Sequence, residues 1–504
     1  MSRRLSLLAS FIFLLLALLA GQSAYLQFFR EPALIASPLN PENNSVSSSA
    51  PRGKILAANG QVLADSLPTN ASGTTYQREY PLGSLTAGVV GYYSPAIDST
   101  WGLEEEYNSY LTAHAQPAQN FEQVLAPTTA SDSIQTTIYP ALQKIAQVAM
   151  GGQDGAAVVL QPQTGAVLAM YSNPTYEPAY LASPNATTDT AYFKKMSQND
   201  ADGFPPLGLV ATQQTFPPGS TFKVITTAAA AVFKPGLLSK AYPSNVNFYI
   251  PPMTDKKLYN DGMSDCGGTV QQMLPESCDP GYAHLGVDIG ATDMSKEANA
   301  FGYNSVPPID LPYTRPIVSK AYFPSAASFT YNIPFLAYGA IGQGDVRSTT
   351  LQQALEASAI ADGGTIMVPH LMADIVGPDG TVLSTYRDKV WKTPLTASQA
   401  AIIVPLMRGV VTHGTAYGIF LPQDDVAAKT GTAQERNNTE TDDWMIAFAP
   451  ANNPTVAVAV MMPYQAKSNY GATVAGPIVK CLIEGALAIQ SGQPSTGTST
   501  TCPS

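Results

Sequence analysis

Charge is scarce in this chain of 504 residues: Asp, Glu, Lys and Arg make up 12% of it, against roughly 25% in an average soluble domain. Basic residues are scarcer than acidic ones, 26 against 37, and the formal charge is -11. That balance excludes a partner held by its phosphate backbone, which needs clustered Lys and Arg, so no nucleic acid is expected. Histidine and cysteine are few, four of each. They show neither HExxH nor paired Cys-x-x-Cys spacing, so no metal and no cofactor are expected. Walker A and Gly-x-Ser-x-Gly motifs are also missing, which sets aside nucleotide-loop and hydrolase-elbow chemistry. Long apolar runs are rare too. Only residues 5–29, which lack charged side chains, read as long and apolar enough together to cross a roughly 30 Å hydrocarbon layer.

What is present divides the chain. Arg3 and Arg4 precede the apolar run, so the positive-inside bias leaves residues 1–4 in the cytoplasm and everything after residue 29 outside. The expectation is a single uncleaved transmembrane signal-anchor helix at 5–29. The alternative, a cleaved signal peptide, has a shorter apolar region of about 7 to 15 residues. Residues 30–51, rich in Pro, Ser and Asn, read as a stalk, and 491–504, of Ser, Thr, Gly and Pro, as a disordered tail. Between them the length calls for more than one folded unit: 52–150 as an N-terminal pedestal and 151–490 as a second domain.

Periodicity supplies the elements. Strands flank the Asn59-Gly60 turn, and a helix is predicted over 103–111. Another is predicted over 140–150, with Pro140 at its first position and Leu142, Ile145, Ala146 and Ala149 on one face. The apolar runs 156–160 and 166–170 around Gly165 read as a buried hairpin. The mixture of Ala-rich helices and strands from there on gives an α+β class. An oxidising exterior permits disulfides among Cys266, Cys278, Cys481 and Cys502. Cys266 with Cys278 would close a short loop, although the sequence leaves three connectivities open.

Two short motifs carry chemistry. In Pro217-Pro218-Gly219-Ser220-Thr221-Phe222-Lys223 the prolines and glycine enforce a bend before a helix-forming run. Ser220 then sits at a helix start, where orphan N–H groups favour developing negative charge. Lys223, three residues on, shares its face at about 5 to 6 Å between Cβ atoms, so its amine can reach the hydroxyl and act as base once burial lowers its pKa. Taken alone, the plainer account is an N-cap serine and a solvated lysine. The second motif is Lys429-Thr430-Gly431-Thr432, ahead of a strand candidate at 443–448. It reads as a strand edge facing a cleft, with Lys429 able to hold a substrate carboxylate and Gly431 allowing close approach.

Together these motifs resemble the serine penicillin-recognising enzymes, whose order is Ser-x-x-Lys, Ser-x-Asn, Lys-Thr-Gly. The resemblance runs from the Arg52-Gly53-Lys54-Ile55 opening through 155–170 to Gly342-Gln343-Gly344 and His413-Gly414-Thr415-Ala416. It is to class B penicillin-binding proteins, and among them to the PbpA-type members of actinobacteria. It implies a β-lactamase/transpeptidase-like domain, with helices around an antiparallel sheet, on an elongated pedestal. It implies Ser220 as the acylated nucleophile, Lys223 as base, and Lys429, Thr430 and Gly431 beside the substrate or penicillin carboxylate. The amides of Ser220 and Thr432 would form an oxyanion hole.

The middle motif departs from the pattern. Its best match is Ser277-Cys278-Asp279, with aspartate where the family has asparagine. Ser277 is expected to shuttle a proton to the leaving amine. An ionised aspartate only accepts hydrogen bonds, so Asp279 is expected to pair with Lys223. The implied activity is peptidoglycan D,D-transpeptidation, cross-linking D-Ala-D-Ala stem peptides of nascent, lipid II-derived strands and trapped by β-lactams. A SEDS-type membrane glycosyltransferase is the implied partner and the cell membrane the location. The alternatives are a hydrolytic cousin, either a carboxypeptidase or a β-lactamase, and a non-catalytic β-lactam sensor or division scaffold.

Overall fold

The computed structural model describes residues 2–25, 50–72, 75–115, 129–312, 318–434 and 439–492. Most of the expected stalk and tail, and Cys502, lie outside them. The chain begins with α1 (Ser2–Tyr25), whose 24 residues reach ~36 Å at 1.5 Å per residue. Phe11, Phe13 and Leu19 on it stay exposed at 57%, 76% and 70%. The expected span runs four residues further, past the described helix.

After the gap come β1 (Ile55–Leu56), β2 (Val62–Pro68), β3 (Tyr76–Glu79) and β4 (Ser133–Thr136), then α2 (Pro140–Met150). The hairpin β5 (Gly155–Leu160) and β6 (Val167–Asn173) follows, then α3 (Lys223–Phe233) and α4 (Asp279–Ile289). The remainder comprises α5 (Thr350–Ala361), β7 (Met372–Val376), β8 (Val382–Thr385), α6 (Ala397–Thr412), β9 (Ala427–Gln434), β10 (Glu440–Ala449), β11 (Val456–Ala466) and α7 (Gly471–Gln490).

Five strands form an antiparallel sheet in the order β6-β5-β11-β10-β9, with β9 at its edge. Its strands are buried on both faces because helices cover both, which is why they read as continuous apolar runs rather than alternation. α2 and α7 pack on one face through Leu142, Ala146, Met150, Ile478, Val479 and Leu482. α7 is long and apolar enough to cross a membrane by composition, yet here it is a core helix of this sheet. α5, wholly buried, covers the other face.

A six-stranded sheet, β8-β7-β4-β1-β2-β3, forms the second unit. Its β1–β2 pair is the hairpin expected around Asn59-Gly60, with Ile55 opposite Ala64 and Gly60 at φ 81°. Two of its strands, β7 and β8, come from residues 372–385, well inside the second half of the chain. Conversely α2, expected with the pedestal, packs on the five-stranded sheet, because that is where its apolar face finds cover. The two units therefore exchange elements across position 150.

The helix predicted over 103–111 is two short turns, Leu103–Glu106 and Asn108–Leu111, broken at Tyr107. The Tyr107 hydroxyl donates to Asp310 Oδ2 at 2.7 Å, and the Leu371 and Met372 amides donate to Asp310 at 2.6 and 2.9 Å. Three converging donors suit an acceptor-only carboxylate. Asp310→Asn turns one acceptor into a donor facing donors, and is expected to cost about 1 to 3 kcal/mol in urea unfolding at pH 7.

Candidate active site

Ser220 lies in a tight 3-10 turn, Gly219–Phe222, that runs directly into α3. Gly219 adopts φ 56°, open to glycine at little cost, and Gly342, at φ 72°, packs so closely that a Cβ there would stand 2.1 Å from the Gly219 carbonyl oxygen. The turn is also fixed to the sheet: Trp444 Nε1 donates to the Pro217 carbonyl at 3.0 Å. Opposite lies β9. A Cβ on Gly431 would meet the Pro218 carbonyl oxygen at 2.7 Å, and one on Gly471 would meet the Gly431 carbonyl oxygen at 2.3 Å. Glycine at 431 therefore lets the turn lie against the strand, and glycine at 471 lets the start of α7 do the same from the other side.

Four polar side chains meet at the cleft: Lys223, Lys429, Ser277 and Asp279. Lys223 and Lys429 are both 0% exposed. Lys223 Nζ donates to the Ser277 carbonyl at 2.5 Å, to Ser277 Oγ at 3.2 Å and to Asp279 Oδ1 at 2.7 Å. Lys429 Nζ donates to Ser277 Oγ at 2.9 Å and to the Thr430 carbonyl at 2.9 Å. Ser277 Oγ thus accepts twice and keeps its own proton to give. Ser277 holds φ 57°, an uncommon value for a residue with a Cβ, at the tight turn before α4. That turn is stapled by a disulfide between Cys266 and Cys278.

Burial pulls the Lys223 ammonium below the ordinary lysine range, while the neighbouring Asp279 charge works to raise it. Burial, and then the Lys223 charge, hold Lys429 well below that range. The pairing of Asp279 with Lys223 stands as expected from the sequence. Among the described residues no hydrogen bond joins Lys223 to Ser220; the Lys223 donors go to Ser277 and Asp279.

Ser220, Asp279 and Thr432 line a cavity of about 730 Å³, and Ser220, Ser277, Asp279, Thr430 and Thr432 a second of about 370 Å³ beside it. The expected residues therefore converge, with Gly431 in the strand between Thr430 and Thr432. Further contributors come from Thr415, in the His413–Ala416 segment, and from Asn260 and Asp261, which carry no local signal in the sequence. Thr415 Oγ1 shares a hydrogen bond of 2.7 Å with Thr430 Oγ1. Asn260 Oδ1 accepts from the Asp279 amide at 3.0 Å and so sets the start of α4. Asp261, next to it, borders both cavities. Among the described residues no cluster of His, Cys, Asp and Glu suits a metal ion.

Comparison with known proteins agrees with this geometry. A family model for the penicillin binding protein transpeptidase domain matches residues 155–484, and one for the penicillin binding protein A dimerisation domain matches 52–133. The peptidoglycan D,D-transpeptidase PbpA of Mycobacterium tuberculosis H37Rv is 34% identical over 96% of this chain and 98% of its own length. The protein of that name from Mycolicibacterium smegmatis is 34% identical over 97% and 99%. The crystal structure of PBPA from M. tuberculosis superposes with a TM-score of 0.76 at 33% identity, covering 87% of this chain and all of that one. Its penicillin G acyl-enzyme complex gives 0.76 at 32% identity, covering 87% of this chain and 100% of that one. The chain belongs to the class B penicillin-binding proteins, of the PbpA type.

Proposed function

We propose that this chain is a peptidoglycan D,D-transpeptidase working through an acyl-enzyme on Ser220, and that β-lactams trap it there. The observation that carries the reading is the network in which the buried Lys223 and Lys429 both donate to Ser277, set beside a cleft-lining serine. The terminal carboxylate of a D-alanyl-D-alanine stem peptide lies against Thr430 and Thr432, with Lys429 behind them. Lys223, once free of Asp279, takes the Ser220 proton as the oxygen attacks the carbonyl. The amides of Ser220 and Thr432 face the developing oxyanion, donors worth about 3 to 4 kcal/mol of barrier each. The Ser277 hydroxyl hands its proton to the leaving amine and is replenished through the lysines. An amine from a neighbouring strand then takes the acyl group.

The acyl carrier is tested by intact-mass measurement after exposure to penicillin G. The expected result is one covalent adduct per chain on the wild type and none on Ser220→Ala; an adduct on the variant overturns the assignment.

The exposed apolar side chains of α1 support a single membrane anchor with the catalytic unit outside the cytoplasm. Residues 52–136 together with β7 and β8 then act as pedestal, and α2 with the remainder of 151–490 as the transpeptidase unit, with 1–4 cytoplasmic, 30–51 a stalk and 491–504 a tail. With no glycan-polymerising unit in this division, a SEDS-type glycosyltransferase in the membrane is the partner that supplies strands.

A further inference from the structure

α7 carries a cysteine whose partner is not among the described residues. Cys481 is 2% exposed and disulfide-bonded, and no described cysteine is free. The chain has four cysteines, and Cys266 is joined to Cys278. Cys502, near the C-terminus, is the cysteine that remains.

The end of α7 suits a closure by that residue. Ile478, Val479, Leu482 and Ile483 belong to the stripe that packs α7 on the sheet. At ~100° per residue Cys481 lies more than a right angle from the centre of this stripe, so it sits on a flank of the helix turned from the sheet. The last turn of α7 is fixed beside β11: the Gln490 side chain donates to the Thr455 carbonyl at 3.0 Å and accepts from Thr455 Oγ1 at 2.6 Å. Gly492 then holds φ 69°, the left-handed cap with which a helix ends and its chain changes direction. From Gln490 back to Cys481 is ~14 Å of helix at 1.5 Å per residue. The roughly ten residues from Gly492 to Cys502 can span about 33 Å, enough to return along α7.

We infer that Cys481 and Cys502 form a disulfide that staples the C-terminal tail to the outer flank of α7. The pairing selects one of the three connectivities the sequence leaves open. It forms by exchange: an exterior disulfide donor passes its disulfide to the two thiols, the new S–S bond closes, and the donor leaves as a dithiol carrying the two protons and two electrons. The oxidising exterior proposed for the catalytic unit is where such a bond forms and persists.

α7 serves the active site at its opposite end. There the Gly471 amide donates to Thr432 Oγ1 at 3.1 Å, and Tyr470, Ala472 and Thr473 line the smaller cavity. A loop closed at the far end holds the last turns of the helix on the sheet without touching the groups that react. It stabilises the catalytic unit by restricting the unfolded chain.

The test is a peptide map of the full-length chain, recovered from an oxidising compartment with N-ethylmaleimide present and no reductant. Trypsin cuts after Lys480, and residues 481–504 contain no further Lys or Arg, so both cysteines fall in one peptide. That peptide is expected unlabelled, lighter by two hydrogens than its reduced form, and able to take two labels after reduction. The peptide 258–296, which holds Cys266 and Cys278, reports on oxidation of the chain as a whole. Label on 481–504 while 258–296 stays unlabelled, or 481–504 linked to a second copy or to another peptide, overturns the inference. Label on both overturns the exterior placement with it. Cys502→Ser is expected to lower the thermal midpoint of the oxidised protein by about 5 °C, a gap that closes on reduction, while penicillin G acylation stays within about twofold of wild type. An unchanged midpoint overturns the stapling role.

Discussion

Lys223→Met is expected to slow acylation of Ser220 by penicillin G by at least about 10³-fold, a loss on the scale of removing the base from a serine nucleophile. Methionine keeps most of the length of the side chain but carries no group that takes up the Ser220 proton. The same variant has a readout in stability. Lys223 binds its proton less tightly in the folded protein than at the ordinary lysine value of 10.5. The unfolded chain therefore holds more protons in the window below 10.5, and the wild type should gain stability as pH climbs towards that value and lose it as pH falls. Lys223→Met should flatten that slope, measured by thermal unfolding across alkaline pH. A variant that acylates at the wild-type rate would remove Lys223 from the mechanism.

Asp279→Asn should act in the opposite direction. The carboxylate stands 2.7 Å from Lys223 Nζ and favours its charged form. An opposite charge at that distance moves a pKa by about 1 to 3 units. Without it the lysine gives up its proton more readily, so the rising limb of the acylation profile should shift to lower pH by at least about one unit. Below that limb acylation should quicken by about tenfold or more. Asparagine can still accept from Lys223, so the change is one of charge with little change of shape. Stopped-flow acylation between pH 5 and 10 checks it, and a limb that stays in place contradicts the proposed hold of Asp279 on the base.

What the sequence revealed of this site follows from how close its residues are along the chain. Ser220 and Lys223 share a turn, and Lys429 to Thr432 share a strand, so spacing alone brought each set together. Ser277 and Asp279 were found from motif order, and the Asp279 pairing from charge, because a lone carboxylate beside a buried amine has little else to do. Asn260 and Asp261 were not found. They sit in a loop with no periodicity, and only the folded chain places them against the start of α4. The hold of Ser277 on Lys223 was missed for a related reason: helix spacing says what an amine can reach, whereas the bond to the Ser277 carbonyl is a tertiary contact. In the fold, the hairpins at 55–64 and 155–173 and the helix at 140–150 were legible from turn residues and apolar spacing. The break at Tyr107 was not, since its partner Asp310 lies 203 positions away.

The loan of β7 and β8 to the six-stranded sheet bears on how the molecule can be cut. β7 pairs along its length with β4, which in turn lies beside β1. A shortened version starting near Gly155 would keep the borrowed hairpin but lose what it leans on, baring a row of amides and carbonyls ready to zip onto a neighbouring copy. Poor solubility of such a piece would report that bare flank and say nothing against its catalytic groups, so biochemical work is better begun at Arg52.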